Sequence, residues 1–153
     1  MLEARGVWLS VGGQDLLAGC DVAVTPGSVT VVIGPNGAGK SSLVRVLSGE
    51  VQPTRGEALL DGRALRTFTA AEIAARRAVV PQASALAFPF TVREVVMLGG
   101  TVPGFGASSS AARAAADLAL GAVDMEPLAD RMYATLSGGE RQRVHIARAL
   151  CQL

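Results

Sequence analysis

Residues Gly34 to Ser42 read Gly-Pro-Asn-Gly-Ala-Gly-Lys-Ser-Ser, and they hold the chain's single lysine, Lys40; the other thirteen basic side chains are arginine. The spacing G-x-x-x-x-G-K-[ST] is that of a phosphate-binding loop. Gly34, Gly37 and Gly39 can take positive φ and carry no Cβ to hold a ligand off the backbone. The amides from Gly37 to Ser41 can then converge as a nest for anionic oxygens. A helix beginning at Lys40 adds the positive end of its dipole. Lys40 supplies a compact ammonium on a flexible stem, able to follow β- and γ-phosphates where a planar guanidinium is too broad. The Ser41 hydroxyl is a ligand for Mg²⁺. The whole segment, Gly34, Pro35, Asn36, Gly37, Ala38, Gly39, Lys40, Ser41 and Ser42, is assigned to nucleotide binding.

A second segment, Leu136 to Val144, reads Leu-Ser-Gly-Gly-Glu-Arg-Gln-Arg-Val. Ser137 and Glu140 form a capping box, which opens a helix with no reference to chemistry. That accounts for Ser and Glu but not for Gly138 and Gly139, since glycine in a helix costs up to ~1 kcal/mol each against alanine. Paired glycines there bare the amides of a helix N-terminus and make a second phosphate-facing end. Two copies of the chain, arranged head to tail, could bring one end of each kind onto a single nucleotide.

The elements that must hold these segments can be read around them. Val29–Gly34 is a short apolar, β-branched run and predicts a buried, parallel strand entering the loop. Leu43 and Leu47 share one face of the helix after it, and Gly49 stops that helix. Upstream, Leu2–Val11 and Leu16–Val24 predict two strands split by Gly12-Gly13. Gly56–Leu65 predicts a hairpin turning at Asp61-Gly62. Thr69 with Glu72 and Thr91 with Glu94 are further capping boxes opening helices, the second with a glycine stop. Ala78–Gln82 predicts another buried strand, Thr101–Ser110 a loop, and Ala111–Gly121 an alanine-rich helix. A last helix from Gly138 carries Val144, Ala147 and Cys151 on one face, with Ile146 and Leu150 beside it.

Bulk properties exclude some classes. The chain of 153 residues is half apolar with a net charge of +1, so it can build a core but has no basic run for holding nucleic acid. With 4% aromatic residues it offers little for base stacking. Cys20 and Cys151 stand too far apart in sequence for a disulfide framework or a metal-ligand pair. No run is apolar and long enough to span a membrane, and the early glutamate of the N-terminus argues against an export signal.

Taken in order, the phosphate loop, the Val79-Val80-Pro81-Gln82 segment and the Leu136–Val144 segment resemble the Walker A loop, Q-loop and signature motif of ATP-binding cassette (ABC) ATPases, and the resemblance covers essentially the whole chain. It implies an α/β P-loop fold with an N-terminal antiparallel β subdomain, a helical subdomain at about 84–136 and an incomplete parallel core sheet, all within one ATP-binding domain, 1–153. It implies that two subunits sandwich ATP and Mg²⁺. Each ATP would lie between Lys40 and its loop in one subunit and Ser137, Gly138, Gly139 and Glu140 in the other, with Gln82 near the metal and the attacking water. Lys40, Gln82 and Ser137 carry the catalytic roles in this reading, and Ser41 and Gln82 the metal.

The stretches Arg76–Gln82, Phe88–Gly99 and Leu136–Leu153 are most similar to the ATP-binding subunits of haem (hemin) importers, with iron-siderophore and cobalamin importers next. The implied setting is peripheral, on the cytoplasmic side of the inner membrane, docked on a permease through Ala83–Val95 and fed by a periplasmic haem-binding protein. A soluble ABC ATPase acting on DNA or ribosomes, and a non-catalytic nucleotide-binding regulator, are the competing readings.

The chain departs from the family in two ways. Val11 stands where an aromatic residue usually stacks on adenine, and Trp8, three residues away on a strand, points to the opposite face. The family's next elements, a strand ending in Asp-Glu, a D-loop and a switch histidine, do not follow Leu153. His145 is assigned to packing or surface, and Asp117, Asp124, Glu126 and Asp130 to no base role. The expectation is a chain that binds ATP without hydrolysing it, reads as an N-terminal part of a cassette, and exposes one edge and one apolar face of Val29–Ile33, leaving it prone to aggregation.

Overall fold

The computed structural model describes residues 1–81, 89–101 and 109–152. They form two compact units, Met1–Ile73 and Ala74–Leu153.

The first unit is a four-stranded antiparallel sheet with one helix packed on it. Strands β1 (Leu2–Val11) and β2 (Gln14–Val24) form a hairpin whose turn, Gly12-Gly13, has φ of 58° and 81°. A two-residue turn of that hand matches strand twist and requires positive φ at both positions, which is why glycine occupies both. Strand β3 (Arg55–Leu60) pairs along the other edge of β1. It turns at Asp61-Gly62 into β4 (Arg63–Ala64), giving the order β2-β1-β3-β4. Helix α1 (Lys40–Leu47) buries Leu43, Val46 and Leu47, its i, i+3, i+4 face, against Ala4, Val7, Leu9 and Leu17 of the hairpin. Gly49, at φ 69°, ends it as expected. The short helix α2 (Ala70–Ala74) opens on the Thr69–Glu72 box, the Thr69 amide donating to Glu72 Oε2 at 2.7 Å.

Two expected strands are not strands. Val29–Gly34 pairs with nothing among the described residues, and Val29 and Ile33 are 92% and 86% exposed. Ala78–Pro81 likewise joins no ladder, with Val79 exposed; Gln82 lies outside the described residues. β-Branched composition favours a pleated, half-buried surface but does not supply one. A strand exists only where a neighbour takes up its amides and carbonyls, and among the described residues neither segment has one.

The second unit is helical. Helices α3 (Val92–Met97), α4 (Ser109–Gly121) and α5 (Gly138–Gln152) converge on a core that includes Val92, Val95, Val96, Leu120, Met125 and Val144, all fully buried. Helix α3 opens on the complete Thr91–Glu94 capping box. Its glycines do not stop it in the expected manner, because the chain continues as a 3-10 turn over Leu98–Thr101. Gly99 serves close approach instead, since a Cβ there would lie 2.1 Å from the Arg148 carbonyl oxygen of α5. Arg93 bridges Asp117 of α4 and Asp130. Ile146 and Leu150 lie on the exposed side of α5 and Val144 and Ala147 on the buried side.

A histidine is buried in this helical core. His145, on α5, is 5% exposed, with Nε2 2.8 Å from the Tyr133 hydroxyl. Burial, and then the positive charge of Arg148, push its pKa below the usual 6.5.

Two outcomes follow for stability. Gly99→Ala should cost about 1–3 kcal/mol in urea unfolding, because backbone rather than a pliable side chain must yield. Below pH 6.5 the unfolded chain takes up a proton on His145 that the folded chain refuses. Stability should therefore be fully present above 6.5 and decline as pH falls towards the lower folded value. The urea midpoint measured against pH should show this slope, and His145→Gln should flatten it.

Candidate nucleotide site

The loop before α1 has the form a phosphate requires. Gly37 and Gly39 sit at φ 82° and 83°, in the left-handed region. At Gly39 two constraints coincide: a Cβ there would also lie 2.4 Å from the Leu16 carbonyl oxygen of β2 and 3.0 Å from Leu17 Cδ2. Gly39 is the N-cap of α1 but offers no side-chain cap. Along the loop the Ala38 amide donates to Pro35 O at 3.3 Å, and the first helical bond is from the Leu43 amide to Gly39 O at 2.8 Å. Among the described residues the amides of Gly37, Gly39, Lys40 and Ser41 have no acceptor of their own, and the loop from Gly34 to Ala38 is exposed. A helix start left bare in this way is suited to an anion.

Lys40 folds back over the loop, its Nζ donating to Gly34 O and Pro35 O, each at 2.7 Å. An ammonium carries three donors, so one remains. Ser41 and Ser42 occupy the first turn of the helix beside it. The donor set therefore fits a triphosphate: several unbonded amides, one cation held at the loop, and a hydroxyl for a divalent metal. No acidic residue crowds the first turn of α1.

The second glycine pair is built differently. The Ser137 amide donates to Glu140 Oε2 at 2.6 Å, the Glu140 amide returns to Ser137 Oγ at 3.4 Å, and the Arg141 amide donates to Ser137 O at 3.0 Å. Bonds from the Ser137 hydroxyl and amide, and then the charges of Arg131 and Arg143, hold the Glu140 carboxyl below its ordinary pKa. Gly138 and Gly139 are exposed, neither has positive φ, and a Cβ on either would meet nothing within 4 Å. Unlike Gly39 and Gly99, they are not demanded by any neighbour among the described residues.

The loop lies in the first unit and the glycine pair in the second. Val11 ends β1 at 59% exposure, while Trp8 packs over Gly19, with the Arg55 guanidinium 6.0 Å from its ring centroid. Trp8 is thus engaged with Gly19 and Arg55. Phe90 is half-buried against the core of the second unit, so it packs rather than protrudes; Phe88 and most of the Ala83–Val95 stretch before it lie outside the described residues. No group of three or more metal-ligating side chains occurs among the described residues, and none of their helices is long and apolar enough to cross a membrane.

Sequence reasoning missed the carbonyl of Leu16 as the wall of the loop and Tyr133 as the partner of His145. The first is a backbone contact with no signature in side-chain type. The second joins residues twelve positions apart, and only the placement of His145 next to Val144 on the buried side of α5 hinted at it.

The ABC transporter family pattern matches residues 17–153. The whole chain is 46% identical to the hemin import ATP-binding protein HmuV of Gloeobacter violaceus and 47% identical to that of Pseudomonas entomophila, spanning 56% and 59% of those proteins. It therefore spans a little over half the length of the curated relatives it matches. Among solved structures, it superposes on MJ1267, an ATP-binding cassette of an ABC transporter, with a TM-score of 0.88 at 27% identity, covering 99% of this chain and 65% of that one. On MJ0796, a bacterial ABC transporter cassette solved as a dimer, the score is 0.85 at 28% identity, covering 99% and 70%. The expected fold class is borne out, and with an uncapped glycine loop before α1 and a capped glycine pair opening α5, the chain belongs to the ABC transporter ATP-binding family.

Proposed function

We propose that this chain supplies both halves of an ATP site in the energy-coupling subunit of an ABC importer, and that two copies face each other to complete it. The observation that carries the reading is the contrast between its glycines. Those at 39 and 99 are forced by neighbouring backbone, whereas Gly138 and Gly139 have open space around them and ordinary φ. Glycines set against helix propensity, with no reason among the described residues, fit contact with something outside the chain. Their bared amides match the chemistry of a γ-phosphate held by another subunit's loop.

In this arrangement the amides of Gly37 to Ser41 and Lys40 Nζ bind and neutralise the triphosphate of one subunit's ATP. The Ser41 hydroxyl holds Mg²⁺, which when bound offsets charge on the β- and γ-oxygens, and Gln82 is its second proposed contact. From the facing copy, Ser137 and the Gly138 and Gly139 amides close the site, with Glu140 holding Ser137 in place through the capping box. Val11 provides an apolar contact for adenine, so binding rests mainly on phosphates. The permease docks on the Ala83–Val95 region, at the cytoplasmic membrane face, and haem is the proposed cargo, on the strength of the names borne by the relatives in the preceding section.

Three measurements test this. Lys40→Ala should weaken binding of fluorescent ATP at least about tenfold, the loss of a charge-assisted contact being worth 1.5–3 kcal/mol; unchanged affinity removes Lys40 from the site. Ser137→Arg should leave ATP on the loop yet abolish ATP-driven pairing in sedimentation; pairing at wild-type strength rejects the facing arrangement. Gly138→Ala should raise thermal stability, by up to ~1 kcal/mol, while weakening that pairing. For the cargo, vesicles carrying the chain's cassette with its permease should take up haem on addition of ATP, and uptake of a siderophore or cobalamin instead would replace haem.

A further inference from the structure

Tyr133 and His145 form the one buried polar pair in the core around α5 among the described residues, and the proposed mechanism does not use them. Both are at most 5% exposed, the hydroxyl and Nε2 are 2.8 Å apart, and the rings meet edge to face at 71° with centroids 5.8 Å apart. His145 Nδ1 is buried and has no hydrogen-bond partner among the described residues. An apolar pair of the same shape would avoid that unsatisfied group at little cost. What a polar pair adds is direction, because a hydrogen bond fixes a distance and an angle where packed methyl groups can slide.

The pair spans a short stretch of chain with Gly139 at its centre and Ser137 and Gly138 just before it. The Tyr133 amide donates to Phe90 O at 2.9 Å, and its carbonyl accepts from the Leu136 amide at 3.2 Å, forming the 3-10 turn Tyr133–Thr135 that runs into Leu136 and Ser137. From the other side, α5 reaches back to this turn at two points. Arg141 Nη2 donates to Ala134 O at 2.7 Å with its guanidinium 5.7 Å from the Tyr133 ring centroid, and one turn further on stands His145. The segment bearing Ser137, Gly138 and Gly139 is thus a loop of chain closed by a side-chain bond behind it.

We propose that Tyr133 and His145 are positioning residues for the Ser137-Gly138-Gly139 half of the ATP site, their hydrogen bond fixing how the 3-10 turn delivers that segment to the facing copy. The inference rests on the facing-copy reading above. Neither residue touches nucleotide in it; each acts through the turn.

The test uses Tyr133→Phe, which removes one oxygen, His145→Leu, and His145→Gln, which can still meet the hydroxyl. Two readouts are taken on each. Hydrogen exchange of the amides from 136 to 140 in the free chain should quicken several-fold in the Phe and Leu variants, and by more than the amides elsewhere in the helical core of the same variants. ATP-driven pairing should weaken about tenfold in the same two variants, as misplacement of positioned groups does, while ATP affinity of the loop stays within twofold. Gln at 145 should recover most of the loss seen with Leu, and Tyr133→Phe with His145→Leu together should be no worse than either alone. Wild-type pairing in Tyr133→Phe, or additive losses in the double variant, would overturn the proposal. Pairing that survives Ser137→Arg would overturn the facing-copy reading itself, and the positioning role with it, whatever exchange shows.

Discussion

Every α-helix begins with amides that have no carbonyl to bond, and this chain handles that constraint in two opposite ways. Helices α2, α3 and α5 each meet theirs with a hydroxyl and a glutamate, at Thr69 and Glu72, Thr91 and Glu94, and Ser137 and Glu140. Among the described residues helix α1 meets its own with nothing: Gly39 has no side chain, lies in the left-handed region and sits where β2 leaves no room for a Cβ. The difference separates scaffold from site. A capped start spends its positive end on the chain's own carboxylate, and an uncapped one keeps it for an anion. Helix α5 combines the two, with a box that fixes its first turn and, beside it, two glycines whose amides remain accessible.

The arrangement also divides labour between the two units. In the first, an antiparallel sheet and the inner face of α1 make a core, and the glycine loop lies at its margin. In the second, three helices bury mainly aliphatic side chains and a single histidine. Each half of the proposed site therefore stands on its own rigid support, and neither depends on long surface side chains, whose ordering would cost conformational entropy. Lys40 is the exception, and two loop carbonyls hold it in place.

Much of this was legible in residue order, because it rests on local rules. Capping boxes, the Gly12-Gly13 and Asp61-Gly62 turns and the glycine loop are specified within a few residues, and the structure has them where the spacing puts them. What was not legible depends on partners far along the chain. Val29–Gly34 has the composition of a buried strand, but a ladder is a property of two segments, and composition reports one. Gly99 looked like a helix stop because that is the common local use of glycine, whereas its reason is the Arg148 carbonyl of another helix. The Tyr133–His145 bond is hidden likewise, since a lone histidine in a helix looks the same whether it faces water or a phenol.

The wedge of Gly39 against Leu16 bears on the order in which the chain acquires its parts. The loop's curvature is moulded on a carbonyl that occupies its position only once β1 and β2 have zipped together. That hairpin is a local, low-contact-order structure able to form early, whereas its contact with residue 39 must close a longer stretch of chain. The cradle's curvature thus presupposes the finished hairpin, and a nucleotide bound there would clamp chain already folded rather than seed it.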